Sequence, residues 1–191
     1  MQLLFIHQNF PGQYPHLAAA LVERGDQVVA IGGPTARSIP GVVLHRYDAR
    51  PKGAVPSCHP WAADFQTKIL RAEAVGVLLE RLIREGLRPD LVLGHPGWGE
   101  LLAVKDLLSG IPVLHQVEFV YPLEGGDVGF DPEFSEHSWT DRTRLRLKRA
   151  PQLLAFHDLD WGLAPTAWQA STAPAEFRER ISVIHEGIDT E

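Results

Sequence analysis

Three short groups of residues in this 191-residue chain have the types and spacing to do chemistry. The densest is His95-Pro96-Gly97-Trp98-Gly99-Glu100. It offers an imidazole that can give a proton to a hydroxyl or take one, an indole that can stack on a ring, and two glycines that leave backbone donors accessible. A His and a Trp packed at a sheet edge, with the glycines serving a turn, would give the same residues. The second group is Asn9-Phe10-Pro11-Gly12, where a glycine without Cβ can let backbone N–H groups approach an anion at a helix N-terminus. A plain Pro-Gly turn is the alternative there. The third is His115-Gln116-Val117-Glu118. Strand alternation sets His115 and Val117 on one face and Gln116 and Glu118 on the other. Glu118 is then a carboxylate at a strand tip, suited to act as a base or to orient a hydroxyl, or else to pair with a basic helix residue.

Other chemistries lack their signatures. The three-glycine dinucleotide fingerprint and the phosphate-loop lysine motif are absent. The acids Glu124, Asp127, Asp131, Glu133 and Glu136 do not have calcium-loop spacing and read as solvated loop residues. The nine histidines show no zinc-ligand spacing, so no metal is expected. One cysteine, Cys58, excludes an internal disulfide and fits a reducing compartment. A net charge of -6 argues against a nucleic-acid partner. No apolar run approaches the roughly 20 residues that span a bilayer, and no basic leader precedes the first strand, so a cytoplasmic location is expected. Arg142, Arg144, Arg146, Lys148 and Arg149 alternate with Leu145 and Leu147. They read as a solvated helix face or as a patch facing anionic phosphate, of a membrane lipid or of an acceptor.

These groups need elements to hold them. Short apolar runs predict strands at Leu3–Ile6, Val28–Ile31, Val42–Leu44, Leu91–Leu93, Ile111 to about Phe119, Trp161–Ala164 and Ile181–Ile184. Between them, Leu17, Ala20 and Leu21 mark a helix that ends at Arg24-Gly25. Phe65, Ile69, Ala72, Leu79 and Ile83 make the apolar stripe of a longer helix before Gly86, with Glu80–Arg84 and Arg81–Glu85 paired on its other side. Gly94 to Glu100 reads as a turn into a third helix, which is expected to run to about Leu108. A basic one runs from about Thr140 to Ala150, where Pro151 marks a kink or the first turn of a second helix reaching Phe156. Tyr47 to Pro60 reads as loop. The alternation of strand and helix predicts one α/β domain over residues 1–191. It is Rossmann-like and doubly wound, with a mostly parallel sheet and helices on both faces. Such sheets bind ligands at the C-terminal ends of their strands, where all three groups fall.

Four ordered motifs together resemble bacterial family 4 glycosyltransferases. They are Leu3 to Gln13, His95 to Glu100, Asp127-Val128-Gly129-Phe130-Asp131-Pro132-Glu133-Phe134, and Ser182-Val183-Ile184-His185-Glu186-Gly187-Ile188-Asp189. The resemblance implies a GT-B fold of two facing Rossmann-like halves. The N-terminal half binds the acceptor, and the C-terminal half binds the nucleotide-sugar donor and carries paired glutamates. By that resemblance the chain is the N-terminal half alone, with the donor-binding domain absent, so catalysis is not expected of it in isolation. The implied reaction is retaining transfer of a hexose from a nucleotide-diphosphate sugar to a sugar or glycolipid acceptor, without a metal or bound cofactor. Peripheral contact with the inner membrane face is a variant of the cytoplasmic setting.

The resemblance also suggests roles. Pro11, Gly12 and Gln13 match the family loop that approaches donor diphosphate and acceptor. Many members have a histidine where Glu118 stands here, with His115 three residues earlier. Glu118 and His95 are the candidate catalytic pair, with Glu118 better suited to bind a sugar hydroxyl than to transfer a proton. Gly97, Trp98, Gly99 and His115 complete the candidate binding residues, and Trp98 could stack on a sugar ring. A non-catalytic α/β binding or interaction module, and half of a nucleotide-sugar epimerase, are the competing readings.

Overall fold

The computed structural model describes residues 1–50, 57–123, 126, 130–131, 133 and 138–187. In chain order the elements are β1 (Gln2–Ile6), α1 (Pro15–Glu23), β2 (Gln27–Gly32), β3 (Val42–Arg46), α2 (Ala63–Arg84), β4 (Leu91–Gly94), α3 (Val104–Leu107), β5 (Val113–Gln116), α4 (Trp139–His157), β6 (Trp161–Ala164), α5 (Ala167–Thr172) and β7 (Ile181–Val183). Among the described residues seven strands form one sheet in the order β3-β2-β1-β4-β5-β6-β7, and every pairing is parallel. This is the Rossmann-like α/β architecture expected from the strand–helix alternation.

The two-residue period of the strands divides the core between the two faces. Leu4 and Ile6 of β1 join Val29, Ile31 and Val92 beneath Val75, Leu78, Leu79 and Leu82 of α2. Leu3 and Phe5 point the other way, with Val28, Ala30 and Leu93, toward Phe10, Tyr14 and Ala18. Each large side chain removed from water contributes about 1.5–3 kcal/mol. A third cluster joins Val117 and Val120 to Phe156, Leu159, Ala164 and Phe177 around α4.

Several elements differ from their sequence expectation. In α2 the buried stripe is Lys68, Val75, Leu78, Leu79 and Leu82, while Ile69 is 50% exposed. The first turns of this helix are shaped by another contact: the turn after β4 lies against its backbone at Lys68. The ion pairs Glu80–Arg84 (2.8 Å) and Arg81–Glu85 (3.7 Å) form on the exposed side. The segment after β4 is a 3-10 turn, Pro96–Trp98, and the helix beyond it shrinks to α3. β5 ends at Gln116, three residues early, although the Val117 N–H still bonds the Leu163 carbonyl at 2.7 Å. Finally, α4 is one helix that runs through Pro151, opened by a Ser138–Asp141 capping box. An interior proline costs about 3 kcal/mol. Buried Gln152, Ala155 and Phe156 in the following turns supply the offset.

Candidate functional site

The strands β1, β4 and β5 are neighbours, and their registers pair Ile6 with Gly94 and Gly94 with His115. The residues that follow them therefore meet at one edge of the sheet: His7 after β1, His95 after β4 and Glu118 just past β5. The buried His95 ring accepts the Gly97 N–H on Nδ1 at 2.9 Å. Nδ1 therefore bears no proton, and Nε2–H points at Glu118 Oε2, 3.1 Å away. The Gln13 side-chain amide donates to the other carboxylate oxygen, Oε1.

The hydrogen bond from His95, opposed by burial and assisted by Gln13, holds the Glu118 carboxyl below the usual glutamate range. Glu118 is thus an anion whose side chain is 32% exposed at the sheet edge. It is an acceptor with lone pairs to spare. Both nitrogens of His95 are engaged, so His95 orients Glu118 rather than taking a proton itself. The alternative pairing of Glu118 with a basic helix residue is replaced by this His–Glu contact.

His7 was not singled out from the sequence, though its place at the tip of the first buried strand was a usable signal. Its Nδ1 accepts the Asn9 N–H at 3.2 Å, and its ring meets that of His95 edge-on at 6.4 Å. Burial pushes its pKa down to about 4, so it is neutral at pH 7. Gly12 is fixed by this ring. Its φ is +52°, and a Cβ there would lie 2.6 Å from His7 Cε1. The loop spends its own donors. The Gly12 N–H bonds the Asn9 carbonyl, the Tyr14 N–H bonds the carbonyl of half-buried Pro11, and the Gln8 N–H bonds Glu100. The Gly12 N–H is thus taken up within the turn itself.

The turn after β4 also departs from expectation. Gly97 and Gly99 are buried rather than accessible. Gly97 gives its N–H to His95, and Gly99, at φ +87°, lies so close to α2 that a Cβ would sit 2.4 Å from the Lys68 carbonyl oxygen. Both glycines serve packing. Half-buried Trp98 lies over the His95 ring at 5.3 Å and 30°.

Glu100, the last residue of this group, is fully buried. Its Oε1 accepts from the Tyr47 hydroxyl at 2.7 Å and its Oε2 from the Gln8 N–H at 3.1 Å. Burial raises its pKa to about 7 against both hydrogen bonds. Glu100 thereby ties the loop after β1 to the loop after β3, a role its sequence position did not disclose.

His115 is not part of the edge. It lies fully buried against Phe156 of α4, with both ring nitrogens unpartnered, and burial lowers its pKa to about 3. Strand alternation put it on the opposite face from Gln116. The Gln152 amide in α4 donates to the Phe119 carbonyl at 2.7 Å and so anchors the residue next to Glu118. On the basic helix, Lys148 Nζ stands 3.6 Å above the Tyr121 ring, and Arg144 pairs with Asp141 at 3.7 Å. Of the acid cluster, Glu124, Asp127 and Glu136 lie outside the described residues, as do Val128-Gly129, Pro132, Phe134 and Ile188-Asp189 of the quoted motifs. Asp131 and Glu133 are exposed. Among the described residues no three His, Cys, Asp or Glu side chains converge as a metal would need, and no helix is long and apolar enough to cross a membrane.

A family model described as the glycosyl transferase family 4 group matches residues 24–191. No curated protein matches the chain. Among solved structures, UGT2 of Phytolacca americana, in complex with UDP-2-fluoro-glucose and pterostilbene, is 14% identical with a TM-score of 0.58. That match covers 100% of this chain and 55% of the other. Os79 from O. sativa, in complex with UDP and deoxynivalenol-3-glucoside, is 14% identical with a TM-score of 0.56, over 97% and 52% of the two chains. The UDP-GlcNAc 2-epimerase from Methanocaldococcus jannaschii is 14% identical with a TM-score of 0.54, over 96% and 45%. The likeness is one of fold, to GT-B proteins, and the chain spans about half the length of each.

Proposed function

The chain belongs to the glycosyl transferase family 4 group, and on that premise we propose that it is the acceptor-side half of a retaining glycosyltransferase. The enzyme moves a hexose from a nucleotide-diphosphate sugar to a hydroxyl-bearing acceptor. The observation that carries this reading is the anionic Glu118, held by His95 and Gln13 at the C-terminal edge of the sheet. An acceptor hydroxyl that donates to Glu118 is fixed in position relative to an anomeric carbon presented from the opposite side. Orientation of this kind lowers the barrier by removing the entropy cost of bringing the reactants together.

The leaving diphosphate needs N–H groups or cations. In the loop after β1 the N–H groups of Gln8, Asn9, Phe10, Gly12 and Tyr14 are engaged in internal hydrogen bonds. We therefore assign that stabilisation, and the nucleotide sugar itself, to a second, C-terminal α/β half facing this edge. The half-length coverage of the GT-B structures supports that division. The exposed thiol of Cys58 suits a cytoplasmic setting, where the basic face of α4 would serve any peripheral membrane contact.

The test is a screen of nucleotide sugars with the longer protein that carries these residues plus a donor-binding half. Nucleotide release and product stereochemistry are the readouts. Transfer with retained anomeric configuration is expected, and none from residues 1–191 alone. Inverted product, sugar that stays on the nucleotide as an epimer, or transfer by the isolated chain would each overturn the reading.

A further inference from the structure

Beside the His95–Glu118 contact, on the face of the sheet that carries α1, lies a cavity of about 240 Å³. Its walls are Leu93 of β4, Leu114 of β5, Leu163 of β6, Ile184 beyond β7 and Leu17 of α1. Leu17 and Ile184 are exposed, and both line this one hollow. The polar side of the hollow is built from Tyr14, Gln13 and the Gln116–Glu186 pair, whose amide-to-carboxylate hydrogen bond is 2.6 Å.

Two details point to a ligand rather than to a covering apolar segment. The Tyr14 hydroxyl is buried, with the side chain only 4% exposed, and has no hydrogen-bond partner. An unsatisfied buried hydroxyl is costly, and an aliphatic side chain from another segment would not recover that cost. In addition, Gln13 both lines the cavity and donates to Glu118, so the polar end of the hollow adjoins the carboxylate.

We propose that this cavity is an acceptor subsite for the apolar body of an amphipathic alcohol, a short aryl or alkyl group carrying its hydroxyl. The body lies against Leu93, Leu114 and Leu163, and the hydroxyl meets Tyr14 at the end nearest Glu118. This deepens the acceptor-side reading above and rests on it for the identity of the ligand as an acceptor. The cavity measures about 240 Å³. It is smaller than the usual drug-sized pocket of about 300–1,000 Å³. It therefore suits a single ring or the terminal part of a longer chain.

The experiment is direct binding, which needs no sugar transfer. The probes are 4-ethylphenol, ethylbenzene and free glucose, titrated into the protein and followed by amide and methyl NMR shifts of Leu114, Leu163 and Ile184. The expected result is saturable binding of 4-ethylphenol at these residues and none of glucose. Leu163→Arg, a change on a partly open face, should weaken 4-ethylphenol at least tenfold. Tyr14→Phe should weaken it several-fold while leaving ethylbenzene unchanged. Absence of 4-ethylphenol binding, or glucose binding in its place, overturns the subsite. Equal binding of the two aromatics, insensitive to Tyr14→Phe, overturns the hydroxyl end of it. If the phenol binds as expected but the longer protein transfers no sugar, the binding site stands and the transferase reading falls.

Discussion

The His95 ring is held in one tautomer between two partners, the Gly97 N–H on Nδ1 at 2.9 Å and Glu118 Oε2 facing Nε2 at 3.1 Å. A ring with both nitrogens engaged is a poor proton shuttle. It is a good brace for a carboxylate.

The brace has a measurable consequence. In His95→Phe the Glu118 carboxyl loses the largest cause of its lowered pKa, so it should titrate at higher pH than in the wild type. Carbon-detected NMR of the glutamate carboxyls reads this directly. In the longer enzyme the loss of one such hydrogen bond should reduce acceptor kcat/KM about fivefold to tenfold. An unmoved Glu118 titration would show that the contact does not control the carboxylate.

Gly12 and Gly99 should not be interchangeable with alanine. At Gly12 the added Cβ meets the His7 ring at 2.6 Å with φ at +52°, a cost of roughly 1–3 kcal/mol. For a domain this size that is a melting-temperature loss of roughly 2–12 °C. Gly99→Ala should lose more, because its Cβ would meet the Lys68 backbone carbonyl oxygen at 2.4 Å rather than a side-chain ring. Thermal denaturation of the two variants side by side tests the order.

Glu100 should make stability fall as pH rises. Its folded pKa of about 7 lies above the unfolded value of about 4.3, so its protonated form favours folding. That contribution is full below about pH 4.3 and is lost as pH rises through about 7. Glu100→Gln removes the titration. The wild type should therefore lose stability relative to this variant across that window, on the order of 1 kcal/mol per pH unit at most. Urea denaturation at several pH values measures the gap. A gap that is constant with pH would mean that Glu100 does not titrate there. Tyr47→Phe should raise the Glu100 pKa further, since the phenol hydrogen bond lowers it.

Much of the fold could be read from local pattern because buried parallel strands leave unbroken apolar runs. Leu3–Ile6 and Leu91–Leu93 both became central strands. Glu118 and His95 could be singled out for a related reason: both follow such runs, at the edge where parallel sheets bind ligands. What escaped was set by tertiary packing. The stripe on α2 turned away from Ile69, and the continuity of α4 through Pro151 depends on how deeply the following turns are buried. Gly97, Gly99 and His115 are buried, which residue type alone does not report. Glu100 joins Tyr47 across 53 positions, a separation at which no local spacing speaks.

The central claim is that Glu118 receives the acceptor hydroxyl in a glycosyltransferase. Its most direct test is steady-state kinetics of Glu118→Gln in the longer enzyme, with donor and acceptor varied separately. The variant keeps the shape of the side chain and removes the charge. Losing a hydrogen bond to a charged group should lower acceptor kcat/KM roughly tenfold to hundredfold and leave the donor KM unchanged. Unchanged acceptor kinetics, or a defect confined to the donor KM, would contradict the assignment.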